Sequence, residues 1–256
     1  MPHEPGTVLL VGAGPGPADL LTLRAARAIE GAEAVLYDAL VSAEVLALAP
    51  KACVKIQTGK RAGRASMAQD AINRLMLRLA RRGLKVVRLK GGDPSVFGRS
   101  GEESDFLAAH GIETEVVPGI TAASAAAAQF GFPLTHRGEA RRVTFATARI
   151  ETGGVTGDGW AAAADPASTL ALYMGREAFP EAAKRLIAEG RPASTPALAV
   201  ENAGAPEARL ISGDLASLPA LLAAADCSGP VVILVGEVAA RAKGAETEAP
   251  RRAASF

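Results

Sequence analysis

Short apolar runs alternate with amphipathic stretches through the first half of the chain, and most of the runs end close to glycine or proline. Thr7-Val8-Leu9-Leu10-Val11 reads as a buried strand, because an apolar run of about four to eight residues bounded by turn residues is what a doubly covered strand presents. A helix is expected from about Asp19, with Leu20, Leu21, Leu23, Ala26 and Ile29 apolar, followed by a strand at Ala34 to Tyr37. A helix through Glu44 to Leu48 and a strand at Val54 to Gln57 come next. Between Met67 and Arg82, the residues Ile72, Leu75, Met76 and Leu79 recur at helical spacing on one face. Val86 to Leu89 and Thr114 to Val117 are two more strands, with a helix at Ser104 to Ala109 between them. Such alternation implies an α/β fold built on a mostly parallel sheet covered by helices. Its ligands would bind outside the carboxyl ends of the strands.

The pattern breaks between Gly131 and Arg142, where Phe132-Pro133-Leu134-Thr135-His136-Arg137-Gly138 interrupts it. The expected division is an N-terminal α/β domain over 1–133, a C-terminal α/β domain over 134–242 and a polar, disordered tail over 243–256. In the second domain, strands are expected near Val143 to Thr147, Thr169 to Tyr173, Ala197 to Val200, Arg209 to Ile211 and Val231 to Val235, with a helix at Ala178 to Glu189. The neighbouring strands around Glu201 to Ile211, joined by a turn, point to antiparallel pairing and hence to a mixed sheet. Glu151 to Asp165 is rich in glycine and alanine and reads as a loop.

Three glycine loops follow three of the apolar strands: Gly12-Ala13-Gly14-Pro15-Gly16, Gly91-Gly92-Asp93-Pro94, and Pro118-Gly119-Ile120-Thr121. Glycine and proline at these points end the strand and remove side-chain bulk, so a ligand can approach the backbone. The three loops together describe a crevice in the first half.

Composition narrows the class. The 256 residues are 49% hydrophobic and only 4% aromatic, which gives an Ala/Leu/Val-rich core of ordinary size. No apolar stretch is long enough to span a bilayer. Met1-Pro2-His3-Glu4-Pro5 lacks the features of a signal peptide, so a cytoplasmic protein is expected. Cys53 and Cys227 offer neither a disulfide framework nor metal-ligand spacing and read as buried thiols; no metal is expected. A net charge of +1 argues against a general nucleic-acid or membrane partner. Yet twelve Lys/Arg and two acids lie between Lys55 and Arg99. Arg74, Arg78, Arg81, Arg82 and Lys85 suit a solvated helix face, whereas Lys60, Arg61, Arg64 and Arg99 flank loops and suit an anionic ligand.

A dinucleotide-binding oxidoreductase is the first reading to test. Gly12-Ala13-Gly14 follows a strand, and Asp38 stands after the second strand where a ribose would be bound. The fingerprint needs a third glycine, however, where this chain has Pro17, and Pro15 removes an amide that a pyrophosphate would use. Hydride transfer is therefore disfavoured.

Seven segments in order carry a different resemblance: Val11-Gly12-Ala13-Gly14-Pro15-Gly16, Leu36-Tyr37-Asp38, Gly59-Lys60-Arg61, Arg88-Leu89-Lys90-Gly91-Gly92-Asp93-Pro94, Val117-Pro118-Gly119-Ile120-Thr121, Pro133-Leu134-Thr135-His136-Arg137-Gly138 and Tyr173-Met174-Gly175. Spread over about Thr7 to Val238, they closely resemble the tetrapyrrole (precorrin) methyltransferases, in particular the uroporphyrinogen-III C-methyltransferase branch. The resemblance implies a two-domain enzyme, a homodimer, that holds S-adenosylmethionine in a cleft between its domains. It also implies methylation of uroporphyrinogen III at C-2 and C-7 to give precorrin-2 for cobalamin or sirohaem, with S-adenosylhomocysteine as the other product. The length suggests a stand-alone methyltransferase rather than a fused sirohaem synthase. The nearest alternative is an enzyme acting on a later precorrin; a ribosomal-RNA methyltransferase of the same fold would call for a broader basic surface.

By the same resemblance, Pro15, Gly91, Gly92, Asp93, Val96, Thr121, Ala122, Met174 and Ala203 line the cofactor site. Asp38 would be the proton acceptor and Lys60 the proton donor. Each has a plainer alternative: Asp38 a turn or helix cap, Lys60 an exposed loop cation, Asp93 a helix cap, Met174 a core residue. A lysine near its ordinary pKa of about 10.4 donates poorly at neutral pH unless burial or Arg61 lowers it. Uroporphyrinogen has eight carboxylates, for which Arg61, Arg64, Arg99, Arg137, Arg141 and Arg142 are candidate partners. His136 reads as structural or as a substrate hydrogen bond. The chain departs from the family's usual Thr-Gly-His by reading Thr147-Ala148-Arg149, and by having Pro17-Ala18 where Asp-Pro is common.

Overall fold

The computed structural model describes residues 6–59, 67–147 and 163–244. Five strands, β1 (Val8–Gly12), β2 (Ala34–Tyr37), β3 (Val54–Gln57), β4 (Val86–Lys90) and β5 (Thr114–Val117), form a wholly parallel sheet in the order β3-β2-β4-β1-β5. Side chains alternate across a strand, and both faces of this sheet are covered. Val8, Leu10, Ala34, Leu36 and Val86 pack with Ile72, Met76 and Leu79 of α3 (Gln69–Ala80) and Leu107 of α4 (Ser100–Ala108). Val11, Val35, Val87, Leu89 and Val117 pack with Ala25 and Ile29 of α1 (Leu23–Glu30) and Val45 of α2 (Ala43–Ala47). β4 lies at the centre, and all five of its residues are buried.

The chain divides into two units, Met1–Ala122 and Ala123–Phe256. The second opens on α5 (Ala122–Gln129). Its sheet contains β6 (Arg142–Thr147), β7 (Ser168–Tyr173), β8 (Pro196–Glu201), β9 (Arg209–Asp214) and β10 (Val231–Val235) in the order β6-β7-β10-β8-β9. β6 and β7 are parallel and the remaining pairs antiparallel, so the sheet is mixed, and β8 and β9 form the antiparallel pair expected from their sequence. Leu170, Leu172, Ala197, Ala199, Ile233 and Val235 pack with α6 (Phe179–Ala188) and α7 (Leu218–Ala224) through Phe179, Leu186, Leu218 and Leu222.

Three elements differ from the sequence pattern. The helix expected from Asp19 is two pieces, a 3-10 turn at Ala18–Leu20 and α1, because Leu21 and Thr22 are extended. Thr22 then starts α1 as its N-cap, its hydroxyl accepting the Ala25 N–H at 3.1 Å. The helices α5 and α7 carry no clear period to read, since both are runs of small or uniformly apolar residues.

The buried charges are the second surprise. Arg88 and Lys90 of β4 and Glu103 of α4 are 5%, 4% and 0% exposed, joined at 3.0 Å (Arg88 Nε to Oε1) and 2.8 Å (Lys90 Nζ to Oε2). In the second unit, Arg191 is 1% exposed and holds main-chain carbonyls instead of an acid. Its Nη1 donates to Ala163 O at 2.7 Å and its Nη2 to Ser168 O at 2.8 Å and Val235 O at 3.2 Å. Burial lowers this guanidinium from its ordinary value, and Glu237 opposes the shift.

Two stability predictions follow from this packing. A Cβ on Gly119 would stand 2.3 Å from Gly92 O and 2.9 Å from the Gly12 Cα, so Gly119→Ala forces backbone apart and costs about 2–3 kcal/mol in urea unfolding. Arg191→Met strands three carbonyls that water does not reach; relief of guanidinium desolvation offsets only part of that, leaving a loss of about 2–4 kcal/mol and a lower Tm. A melting temperature unchanged by Arg191→Met contradicts this account of the second core.

Candidate functional site

The loops leaving β1 and β4 run in opposite directions from neighbouring strands, the arrangement at which an open parallel sheet forms a ligand crevice. They are joined by bare backbone. Gly14 N donates to Gly92 O at 3.1 Å and Gly92 N to Gly14 O at 2.7 Å, while Ala13 N donates to Lys90 O at 2.7 Å. A Cβ on Gly12 would lie 2.6 Å from Gly119 N and 2.8 Å from Gly92 O. Gly14 and Gly92 sit at φ 66° and 70°, where a side chain is strained. From α2, the Ser42 hydroxyl donates to Gly16 O at 2.6 Å and fixes the far end of the first loop.

Two carboxylates clasp these loops. Asp38, just past β2, accepts the Leu40 N–H at Oδ1 and the Gly91 N–H at Oδ2, both at 2.9 Å. Asp93 accepts the Ser95 N–H at Oδ1 at 2.8 Å, with the Ser95 hydroxyl on the same oxygen, and the Gly119 N–H at Oδ2 at 2.9 Å. Asp38 thus makes the turn that its sequence position allowed, and also crosses from β2 to β4. Asp93 caps no helix; it ties the β4 loop to the β5 loop. Both Asp38 oxygens and Asp93 Oδ2 keep acceptor capacity, since a carboxylate oxygen has two lone-pair sites, whereas Ser95 takes both sites of Asp93 Oδ1.

Around this floor, Pro15, Gly91, Gly92, Asp93, Val96, Thr121 and Ala122 are all partly exposed, as a surface open to a ligand requires. Space remains over Gly92, whose nearest neighbours beyond its own loop are the Thr121 Cα at 3.9 Å and Ile120 O at 4.0 Å from an added Cβ. Phe97 and Arg99 adopt positive φ of 54° and 57°, and Phe97 and Leu40 are exposed apolar side chains beside the loops. Arg99 pairs with Glu102 at 2.7 Å on the surface. Lys60, Arg61, Arg64 and Arg149 lie outside the described residues.

In the second unit, Met174 follows β7 with φ 53° and is 65% exposed, so it is no core residue. With Gly175, Arg176, Glu177, Gly229, Pro230 and Val231 it lines a cavity of about 270 Å³. Asn202, also at positive φ (52°), follows β8 and donates its N–H to Pro230 O at 2.9 Å; Ala203 beside it is buried. Gly229 leaves room for the Asn202 side chain, whose Oδ1 would be 2.1 Å from an added Cβ. Glu201, 2% exposed, anchors this corner by accepting the Gly229 N–H at 2.6 Å and Arg209 Nε at 2.7 Å. The Gly229 amide, then Arg209, holds the Glu201 carboxyl below the usual carboxylate range against the effect of burial. Tyr173 accepts the Ala123 N–H at its hydroxyl, 3.2 Å away.

The remaining candidates are more ordinary. Arg137 and Arg141 are exposed, and Arg142 is engaged by Asp165. The His136 ring lies 3.6 Å from Glu139, which Arg241 also holds, and its backbone pairs with Ala140 across a tight turn. Cys53 and Cys227 are buried thiols, and burial pushes both up. Arg74, Arg78, Arg81 and Arg82 are exposed on α3 and beyond its end, as a solvated face would have them. Sequence reasoning missed Ser42, Gly229 and the pair Glu201 and Arg209, which support loops without belonging to any glycine motif.

Comparison with known proteins places this geometry in a family. The family described as Tetrapyrrole (Corrin/Porphyrin) Methylases matches residues 7–219. A siroheme synthase of Azotobacter vinelandii is 47% identical over 237 residues, 93% of this chain and 51% of that protein. One of Chromobacterium violaceum is 49% identical over 233 residues, 91% of this chain and 49% of that protein. The chain therefore spans about half the length of the curated relatives it matches. Among solved structures, a uroporphyrin-III C-methyl transferase from Thermus thermophilus complexed with S-adenyl homocysteine superposes with a TM-score of 0.78 at 43% identity, covering 92% of this chain and 100% of that one. A cobalt precorrin-4 methyltransferase gives a TM-score of 0.82 at 27% identity, covering 91% and 95%. With its glycine loops on a parallel sheet and a family match over most of its length, this chain belongs to the tetrapyrrole methylases.

Proposed function

We propose that this chain methylates uroporphyrinogen III at C-2 and then C-7, using S-adenosylmethionine, to give precorrin-2. The observation that carries the reading is the 43% identity, over the full length of the other chain, to a uroporphyrin-III C-methyl transferase with S-adenyl homocysteine bound. The precorrin-4 enzyme has the higher TM-score but only 27% identity, so shared shape does not favour a later precorrin over uroporphyrinogen III. We take the enzyme to be a cytoplasmic homodimer; no helix among the described residues is long and apolar enough to cross a membrane.

When bound, S-adenosylmethionine supplies an electrophilic methyl group on a sulfonium. The residues present fit such a molecule, because the half-exposed backbone of Gly91 and Gly92 and the space over Gly92 form a cradle that a Cβ would fill. Gly91, Gly92, Asp93, Val96, Thr121, Ala122 and Pro15 of the first unit would hold it. The pyrrole carbon is already nucleophilic, so the protein mainly orients the partners and excludes water.

A proton must leave the substrate after the carbon is methylated. Asp38 would take it; two backbone amides hold its oxygens and each oxygen retains a lone-pair site, which supports that reading. Lys60 would return a proton or bind a substrate carboxylate. Arg61, Arg64, Arg99 and Arg137 would meet the other carboxylates, for which guanidinium is the best matched cation.

Anaerobic incubation with uroporphyrinogen III and labelled S-adenosylmethionine, followed by oxidation and mass measurement, tests the reading. Two added methyl groups are expected. Cofactor binding without methylation of this substrate would move the enzyme to a later precorrin, and no cofactor binding would sink the proposal. Asp38→Asn is expected to lower kcat by about 100-fold or more, with cofactor affinity changed less than about tenfold. Calorimetric titration with S-adenosylhomocysteine separates the two effects, and an unchanged kcat removes Asp38 from the chemistry.

A further inference from the structure

Arg176 stands where the fold alone does not explain it. β7 ends at Tyr173, and Met174, at φ 53°, turns the chain out of the sheet; a non-glycine residue holds that backbone only when its surroundings enforce it. Arg176 and Glu177 follow, both exposed, shortly before α6 begins at Phe179. The dipole of a helix favours anions at its start and opposes a cation there, so Arg176 does not serve α6. Among the described residues it pairs with no acid, whereas Arg142, Arg209 and Arg241 of the same unit are matched by Asp165, Glu201 and Glu139.

Its guanidinium is nevertheless fixed. Nη1 donates to Cys227 O, so the side chain reaches from the loop after β7 to the segment that leads into β10. That opposite wall is held from behind: Gly229 N donates to Glu201 at 2.6 Å, Asn202 N to Pro230 O at 2.9 Å, and Val231 pairs with Glu201 in the sheet. The same two segments line the cavity of about 270 Å³, in which Met174, Pro230 and Val231 are apolar, Arg176 is the cation and Glu177 the acid. A guanidinium carries several N–H donors in a fixed fork, and the Cys227 carbonyl takes only one of them. Those left over form an edge that a carboxylate can meet with both oxygens. The volume suits a carboxylate on a short carbon stem, since pockets that enclose a whole drug-sized ligand start near about 300 Å³.

We propose that this cavity is a carboxylate subsite: Arg176 binds one acid arm of a ligand, Met174, Pro230 and Val231 lie against its carbon stem, and Glu177 is the opposing charge that limits how tightly it is held. Two molecules of the proposed reaction carry such an arm, uroporphyrinogen III at its rim and S-adenosylmethionine at its amino-acid end. The identity of the ligand rests on the proposed methyl transfer; the subsite itself does not.

The experiment compares the full wild-type chain with Arg176→Met, Arg176→Lys and Glu177→Gln. Affinity is measured for uroporphyrin III, the stable oxidised form of the substrate, by fluorescence quenching, and for S-adenosylhomocysteine by calorimetry, with thermal melting of each protein. Arg176→Met is expected to weaken one of the two ligands by about tenfold or more. Arg176→Lys recovers part of that loss, because it keeps the charge and gives up the fork, and Glu177→Gln tightens the same ligand. A loss confined to uroporphyrin III assigns the arm to the tetrapyrrole. A loss confined to S-adenosylhomocysteine, and absent for methylthioadenosine, which lacks the amino-acid end, assigns it to the cofactor. Unchanged affinity for both, equal weakening of both, or a loss that follows a lowered melting temperature without the opposite response of Glu177→Gln makes Arg176 a tether for Cys227 and overturns the proposal. A wild-type protein that methylates nothing, yet binds uroporphyrin III through Arg176, sinks the functional reading and leaves the subsite standing; one that binds neither ligand sinks both.

Discussion

The first unit depends on main chain meeting main chain. Gly12 and Gly119 meet each other and the Gly92 carbonyl at distances at which neither could carry a side chain, and hydrogen bonds between Gly14 and Gly92 close the seam. That contact decides where every other group can stand. It sets the height of the Gly91–Asp93 loop above β4, which brings the Gly91 N–H to Asp38 and the Gly119 N–H to Asp93. It also leaves the backbone of Gly91 and Gly92 half-exposed, which a cofactor cradle needs.

Much of this was legible in the chain. The strands were expected close to where they lie; the buried parallel ones, β1, β2 and β4, are short apolar runs, and the loops after β1 and β4 are marked by glycine and proline. The onset of α1 was not, since Leu20 and Leu21 continue an apolar pattern that two extended residues interrupt. The helices α5 and α7 escaped because small or uniformly apolar residues carry no helical period.

At the candidate site the acids were legible and their tethers were not. Asp38 and Asp93 stood out as acids at strand ends. Nothing in the sequence shows that one oxygen of each is committed to an amide on another loop, Gly91 for Asp38 and Gly119 for Asp93, because those partners follow strands far away in the chain. Charge misled for the same reason. Arg88, Lys90 and Glu103 look like ordinary charged residues until the sheet register and the start of α4 bring them together out of water. Arg191 gave no signal at all, since its partners are carbonyls that every residue carries.

The double duty of Asp38 limits how such an enzyme can change over generations. Its atoms serve as architecture and, in the proposed chemistry, as reagent, so a replacement that alters reactivity also loosens the turn after β2 from the loop after β4. Glutamate does not escape the constraint, because its extra methylene would carry the carboxylate past the amides of Leu40 and Gly91. A lineage drifting toward a different tetrapyrrole would have to keep this acid unaltered and find its novelty at the rim, among side chains that hold nothing else in place.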